Sequence, residues 1–283
     1  MGTMSGKTCL VTGATSGIGE QTALQLATLG ATVIIAARHA ARGAAASEQI
    51  RQQVPLAQVE TVTADLSSLA QVRQLAEEIL ARYDRLDVLV NNAGVISVHH
   101  QLTADGLETT FATNHLGPFL LTNMLRGLLE RSAPARVVTV SSAAHKQVQT
   151  IPWDDLPRGT PAGQGQAYPL SKLLNILFTV ELAKRLTGTG VTANCLHPGF
   201  VRTALGRDVT GVAGAAVRLA VRFVPGPARG AQTSVYLASS PEVAEVTGGY
   251  FIRCQPAEPS ALAGDTQAAA RLWALSEELA GLA

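Results

Sequence analysis

Short, continuous apolar runs alternate with longer amphipathic windows along most of the chain. The runs fall at 8–12, 32–36, 59–64, 88–91, 136–140, 191–196 and 250–253. They do not alternate strictly between apolar and polar positions, so both faces of each are expected to be covered, as in a parallel sheet. Between them, apolar residues recur at helical spacing over 19–29, 40–53, 68–83, 107–131, 168–186 and 230–239. Strand and helix in this alternation predict an α/β protein: a single-domain, Rossmann-type doubly wound parallel sheet of about seven strands with helices on both faces. Two segments break the rhythm. Residues 143–167 carry Pro, Gly, Trp153 and Asp154-Asp155 and read as a long irregular loop. Residues 200–228 follow Pro198-Gly199 and close with Pro225-Gly226-Pro227; their apolar stretch is expected to be a lid over a ligand. A C-terminal helical tail is expected over 264–283.

Composition narrows the function classes. The 22 Lys and Arg balance 21 Asp and Glu to a net charge of +1, which supplies no field to hold nucleic acid. A hydrophobic fraction of 47% with 15% charged residues excludes a disordered chain and supplies a sizeable core. No run reaches the ~18–20 apolar residues of a transmembrane span. The first residues lack the apolar centre of a signal peptide, so a cytoplasmic location is expected. Three cysteines, Cys9, Cys195 and Cys254, are odd in number and far apart, which argues against a disulfide framework or a bound metal. Arginine supplies most of the basic residues, which by association suggests a GC-rich bacterial genome.

The turn Thr12-Gly13-Ala14-Thr15-Ser16-Gly17-Ile18-Gly19 sits between the first strand and the first helix. Gly13 can make a tight turn, Gly17 lets backbone approach a ligand, and Gly19 permits close packing. The helix behind them aims unpaired N–H groups and its positive dipole end at a pyrophosphate. Tyr168 and Lys172, four apart on a predicted helix, project from one face. A phenol with a pKa of ~10 is a poor catalyst at neutral pH, but a neighbouring ammonium stabilises phenolate. Tyr168 can then protonate a carbonyl oxygen or deprotonate an alcohol. Pro169 is expected in the first turn of that helix, where its missing N–H costs nothing. His145, three residues after Ser142, is a weaker candidate for touching substrate.

The Gly-x-x-x-Gly-x-Gly spacing resembles the short-chain dehydrogenase/reductase family, and further marks of that family follow in order over residues 8–203. Asp65-Leu66 after the third strand resembles its adenine-contacting pair, and Asn91-Asn92-Ala93-Gly94 after the fourth matches its structural motif. Asn114, Ser142 and Tyr168-Pro169-Leu170-Ser171-Lys172 match its catalytic positions, and Pro198-Gly199 its turn after strand six, with Val201 and Thr203 as further cofactor contacts. The resemblance implies that Ser142 holds the substrate oxygen and that Asn114 holds a water linking Lys172 to solvent. Phe111 to Phe119, Ser171 to Phe178 and Gly249-Tyr250-Phe251 are similar to the retinol dehydrogenase-like and WW-domain oxidoreductase-like branch, without the membrane anchor of many animal members.

The position after strand two selects the nucleotide. A carboxylate there accepts a ribose 2′-OH, whereas a cation holds a 2′-phosphate. This chain has Ala37-Arg38-His39, with Arg42 one turn on, which favours NADP(H) over NAD(H). The expectation is a hydride transfer between nicotinamide and a carbonyl or alcohol of a lipophilic small molecule. The alternatives are a cofactor-dependent epimerase or dehydratase using the same site, and a non-catalytic nucleotide-binding interaction protein. The resemblance further implies a homodimer or homotetramer, paired through the helices at 106–131 and 168–186.

Overall fold

Strands β1 (Thr8–Thr12), β2 (Thr32–Ala37), β3 (Val59–Thr63), β4 (Val88–Asn91), β5 (Ala135–Val140), β6 (Val191–His197), β7 (Tyr250–Ile252) and β8 (Gln255–Pro256) form one sheet in a computed structural model. The structure describes residues 2–97, 99–159, 164–199 and 226–282. The sheet order is β3-β2-β1-β4-β5-β6-β7-β8, so the chain leaves β1 in one direction and resumes at β4 in the other. In such sheets the reversal opens a crevice at the carboxyl ends of β1 and β4, where ligands bind. Seven strands are parallel and β8 alone runs antiparallel, making eight where about seven were expected. The eighth is two residues long and is reached through Arg253 and Cys254, both at positive φ.

Helices cover both faces, which explains the uninterrupted apolar strands. On one side α1 (Gly17–Thr28), α2 (Ala40–Gln53) and α7 (Pro227–Ser239) bury Val11, Val33, Ile35, Val90 and Val138. On the other, α3 (Leu69–Arg82), α5 (Gly117–Arg131) and α6 (Gln164–Arg185) bury Leu10, Ile34, Leu89 and Val137. The last helix, α8 (Thr266–Ala280), lies against α6 and drives Trp273 between Phe119 and Phe178, with ring centroids 4.9 and 5.9 Å away. Arg185 caps the indole at 4.3 Å. The parts of α5 and α6 beneath Trp273 are therefore covered by the chain itself and closed to a second copy.

The window at 107–131 is not one helix. A short turn, α4 (Thr109–Phe111), leads into a π-helical segment at Ala112–Leu116, and α5 starts only at Gly117. The break lies ahead of Gly117-Pro118, and Pro118 sits harmlessly at the start of α5. Gly117 allows close approach, since a Cβ there would lie 2.4 Å from the Leu66 carbonyl oxygen. Among the described residues, no helix is long and apolar enough to cross a membrane.

Candidate active site

The glycine turn is held by the strand beside it. Thr12 Oγ1 accepts from the N–H groups of Asn92 and Ala93, both at 3.0 Å, and Asn92 Nδ2 donates to Thr12 O at 2.8 Å. Gly13 and Gly17 have φ of +66° and +64°. A Cβ on Gly13 would meet Ala93 Cα at 2.8 Å, and one on Gly19 would meet Asn92 Nδ2 at 2.3 Å. These two glycines thus let the turn lie on the Asn92-Ala93-Gly94 segment, rather than bringing helix to sheet. Gly17 differs, because a Cβ there would meet nothing within 4 Å. Ser16 occupies the N-cap of α1 without a side-chain capping bond, so the first N–H groups of α1, from Gly17, Ile18 and Gly19, are left for another acceptor. Thr15 and Ser16 flank that opening. The cradle fits a diphosphate on an observation independent of the motif: an uncapped helix start in front of open space.

The reacting candidates converge at the same edge. Asn114 lies in the π segment, fully buried, and clamps Val95 from both sides: Val95 N–H donates to Oδ1 at 2.7 Å and Nδ2 donates to Val95 O at 2.9 Å. Nδ2 also donates to Ser171 Oγ at 3.0 Å, and Ser171 Oγ donates to Tyr168 O at 2.8 Å. Lys172 Nζ donates to Val140 O at 3.0 Å, with Asn175 Nδ2 on the same carbonyl at 3.3 Å. Gly94 is where three elements meet, since a Cβ there would stand 3.3 Å from Lys172 Nζ and 3.4 Å from Asn114 Oδ1. Ser142 caps the turn at Ala143–Gln147 through Ala144 N–H and hydrogen-bonds the Tyr168 side chain. Ser141 instead points inward and donates to Lys172 O at 2.7 Å, a scaffold role. Pro169 is not in the first turn: α6 begins at Gln164, five residues earlier. It removes the ladder hydrogen bond to the Gly165 carbonyl and places Tyr168 just before the break.

Burial dominates the electrostatics. It pushes the Tyr168 hydroxyl above its ordinary value, opposed by the bond to Ser142. It pulls Lys172 down to about 8. The Nζ lies 5.5 Å from the Tyr168 ring centre. Because the folded-state value of Lys172 lies below that of the unfolded chain, the unfolded chain binds more protons between about pH 8 and the ordinary lysine value of ~10.4. The penalty for burying the ammonium is therefore complete below pH 8 and fades as pH rises through that window. Lys172→Met, which leaves Asn175 on Val140 O, is expected to raise the melting temperature at pH 7 and to lose that advantage by pH 10. A gain unchanged with pH would show that the ammonium is not penalised by burial.

Other predicted residues are placed as follows. Asp65 accepts from Ser67 N–H and Oγ at 2.9 and 2.8 Å, and Leu66 is buried against α5. Arg38 and Arg42 are exposed just after β2 and form no ion pair among the described residues. Pro198 and Gly199 end β6, with Gly199 at φ +85° beside open space. Val201, Thr203 and nearly all of the segment at 200–228 lie outside the described residues. His145 points inward, with both ring nitrogens engaged. It is fully buried, and because Ser260 N–H donates to its Nε2 at 3.0 Å, Nδ1 carries the proton and donates to Ser142 O at 2.6 Å. That link from the Ser142 turn to the C-terminal segment, like the Ser171 bridge, was not read from the sequence. Spacing carried a signal for Ser171, three residues after Tyr168 and one before Lys172; nothing in the sequence marks Ser260.

The chain is similar to known proteins over nearly its whole length. The family described as short chain dehydrogenase matches residues 7–211. Human retinol dehydrogenase 14 is 46% identical over 99% of this chain and 88% of its own length, and human retinol dehydrogenase 13 is 45% identical over 99% and 86%. The crystal structure of an uncharacterized protein from Mycobacterium paratuberculosis superposes with a TM-score of 0.78 at 37% identity, covering 99% of this chain and 96% of that one. A short chain dehydrogenase from Burkholderia cenocepacia in complex with NADP superposes at 0.70 with 26% identity, covering 88% and 96%. With its sheet order, its glycine turn and matches that run nearly end to end, the chain belongs to the short-chain dehydrogenase/reductase family, in the retinol dehydrogenase-like branch.

Proposed function

We propose that the protein is an NADP(H)-preferring oxidoreductase that moves a hydride between the nicotinamide and a carbonyl or alcohol carbon of a lipophilic small molecule, with Tyr168 as acid/base. The observation that carries this reading is the convergence of Asn114, Ser142, Tyr168 and Lys172 at the sheet edge that also presents the uncapped start of α1. The dinucleotide supplies the hydride-exchanging ring and, when oxidised, a positive charge. Gly13, Gly17, Gly19 and the backbone of Thr15, Ser16 and Ile18 bind its diphosphate, while Asp65 and Leu66 flank the adenine. Asn92, Ala93, Gly94, Pro198 and Gly199 line the path to the ring. Ser142 Oγ orients the substrate oxygen, and Tyr168 gives it a proton or takes one away.

Lys172 favours the phenolate. Its Nζ lies 5.5 Å from the centre of the Tyr168 ring, and its positive charge acts opposite in sign to the burial effect. Asn114, through Ser171 and Val95, fixes the relative placement of α6 and the end of β4. The relatives named as retinol dehydrogenases favour an apolar alcohol or its carbonyl as the substrate class. A homodimer or homotetramer would have to pair through the parts of α5 and α6 that α8 leaves uncovered.

The exposed Arg38, which meets His39 Nε2 at 3.3 Å but forms no ion pair among the described residues, and the missing carboxylate after β2 support the 2′-phosphate. The test is kcat/KM for NADPH and NADH across a panel of lipophilic ketones and aldehydes. NADPH is expected to be favoured, and Arg38→Asp to reverse the order by removing the phosphate partner and repelling the phosphate. A parent protein that prefers NADH more than tenfold overturns the cofactor assignment.

A further inference from the structure

The turn that carries Ser142 is held unevenly. On its entering side Ser141 N–H donates to Leu196 O and Ser141 Oγ to Lys172 O, both at 2.7 Å, so β6 and α6 fix the chain up to that point. Beyond it the chain runs through one short helical turn, Ala143–Gln147, where three backbone donors stand off at 3.2 Å: His145 N–H to Ser142 O, Ala144 N–H to Ser142 Oγ and Val148 N–H to His145 O. The short contact comes from a side chain, since His145 Nδ1 donates to Ser142 O at 2.6 Å. That carbonyl leaves the same Cα as the hydroxymethyl group, at φ −157° and ψ 152°. Holding the carbonyl therefore holds the direction in which Oγ leaves the turn to meet the Tyr168 side chain.

The ring that makes this bond has little freedom of its own. It is fully buried, and Tyr250 of β7 packs on it edge-on, with centroids 5.3 Å apart and planes at 75°. Ser260, at the start of the turn Ala261–Gly264 that leads to α8, donates its N–H to Nε2 at 3.0 Å. With Nε2 engaged as an acceptor, the neutral ring carries its proton on Nδ1, facing Ser142 O. Burial, opposed by the bond to Ser142 O, pulls the ring's pKa below its ordinary value and so favours that neutral form. Ring orientation and proton position are both set by a residue 115 positions further along the chain.

We propose that His145 is a positioning residue whose Nδ1 proton sets the aim of the Ser142 hydroxyl at Tyr168 and the substrate oxygen, and that the C-terminal segment at Ser260 holds it in that role. The inference rests on the hydride-transfer reading, and adds to it a dependence of the reaction on a segment that follows β8.

Amide substitutions separate the two ring nitrogens. Asparagine places an amide N–H where Nδ1 stands and falls short of Ser260. Glutamine reaches Ser260 N–H with its carbonyl and leaves Ser142 O without the side-chain donor. His145→Asn is expected to keep kcat within about threefold of the parent's, while His145→Gln loses roughly tenfold or more with KM for NADPH unchanged, because small misplacements of a reacting group are costly in rate. A residue that merely tied down the C-terminal segment would give the opposite order. In Ser142→Ala the aimed hydroxyl is gone, so adding His145→Gln should lower kcat by less than about twofold more. Tyrosine isotopically labelled at Cζ gives a magnetic-resonance readout that needs no turnover. The Tyr168 signal, assigned by its loss in Tyr168→Phe, should move in His145→Gln in the direction it moves in Ser142→Ala, and stay near its parent position in His145→Asn. Equal kcat in the two amide variants, an undiminished further loss in the Ser142→Ala background, or a Tyr168 signal unmoved by His145→Gln would each overturn the proposal. Absence of turnover in the parent protein would overturn the hydride-transfer reading instead, and the Tyr168 signal would still decide the role of His145.

Discussion

Tyr168→Phe is expected to lower kcat by ~10²–10⁴-fold while leaving NADP(H) affinity within a few-fold of the parent's. That range is the usual worth of a positioned acid–base group. The ring is half-buried, and its neighbours are held independently of the hydroxyl: Lys172 by Val140 O, Ser171 by the Tyr168 carbonyl, and Ser142 by Ala144 N–H. Removing one oxygen therefore deletes the proton carrier and its bond to Ser142 while the scaffold keeps its bonds. Single-turnover rates and nucleotide titration on the same preparation separate the two effects. More than about a tenth of the parent kcat in Tyr168→Phe would remove Tyr168 from the mechanism.

The second large effect is expected at Gly19. An alanine Cβ would lie 2.3 Å from Asn92 Nδ2 and 2.5 Å from Gly13 O, and neither neighbour is a free side-chain end. Asn92 is engaged with Thr12 O, and Gly13 N–H donates to Ala36 O at 3.0 Å. Overpacking of ~1–3 kcal/mol, together with hydrogen bonds worth about 1 kcal/mol each, sums to roughly 3–5 kcal/mol. At ~2–4 °C per kcal/mol for a chain of this size, Gly19→Ala should melt on the order of 10 °C below the parent. Gly17→Ala is the contrast. Its Cβ meets nothing, so only the left-handed backbone is penalised, by about 1–2 kcal/mol, while the methyl enters the space in front of α1. It should weaken the dinucleotide by tenfold or more with a smaller fall in melting temperature. Melting of Gly19→Ala within 2 °C of the parent would refute the packing account.

The sequence made the seven parallel strands legible because burial on both faces leaves continuous apolar runs, and that signal survives without any knowledge of neighbours. The glycine turn was legible because positive φ and close approach both select glycine. Three features were not. The π segment at Ala112–Leu116 keeps an ordinary helical composition; the clamp between Asn114 and Val95 across 19 positions accompanies it, and no local pattern encodes it. The turn into β8 uses Arg253 and Cys254 at positive φ, where a reader looks for Gly or Asn. The N-cap role of Glu108 carries no mark either, because the helix it caps is a single three-residue turn.

The packing of α8 has a consequence for folding during synthesis. Trp273 completes an aromatic cluster with Phe119 and Phe178, and His115, next to Asn114, reaches Ser276 of the same helix at 2.9 Å. Arg73 of α3 reaches the carbonyl of Ala280. During synthesis the half of the chain that carries the glycine turn leaves the ribosome first and can pair β1 to β4 while the rest is still being made. The hydrophobic side of α5 and α6 has no cover until α8 has cleared the exit tunnel. For that interval, each nascent chain presents the Phe119 and Phe178 rings to its surroundings. Chaperone demand during expression should therefore track the emergence of α8, and a stop codon placed before Trp273 should yield a product captured by holdases rather than a shortened enzyme.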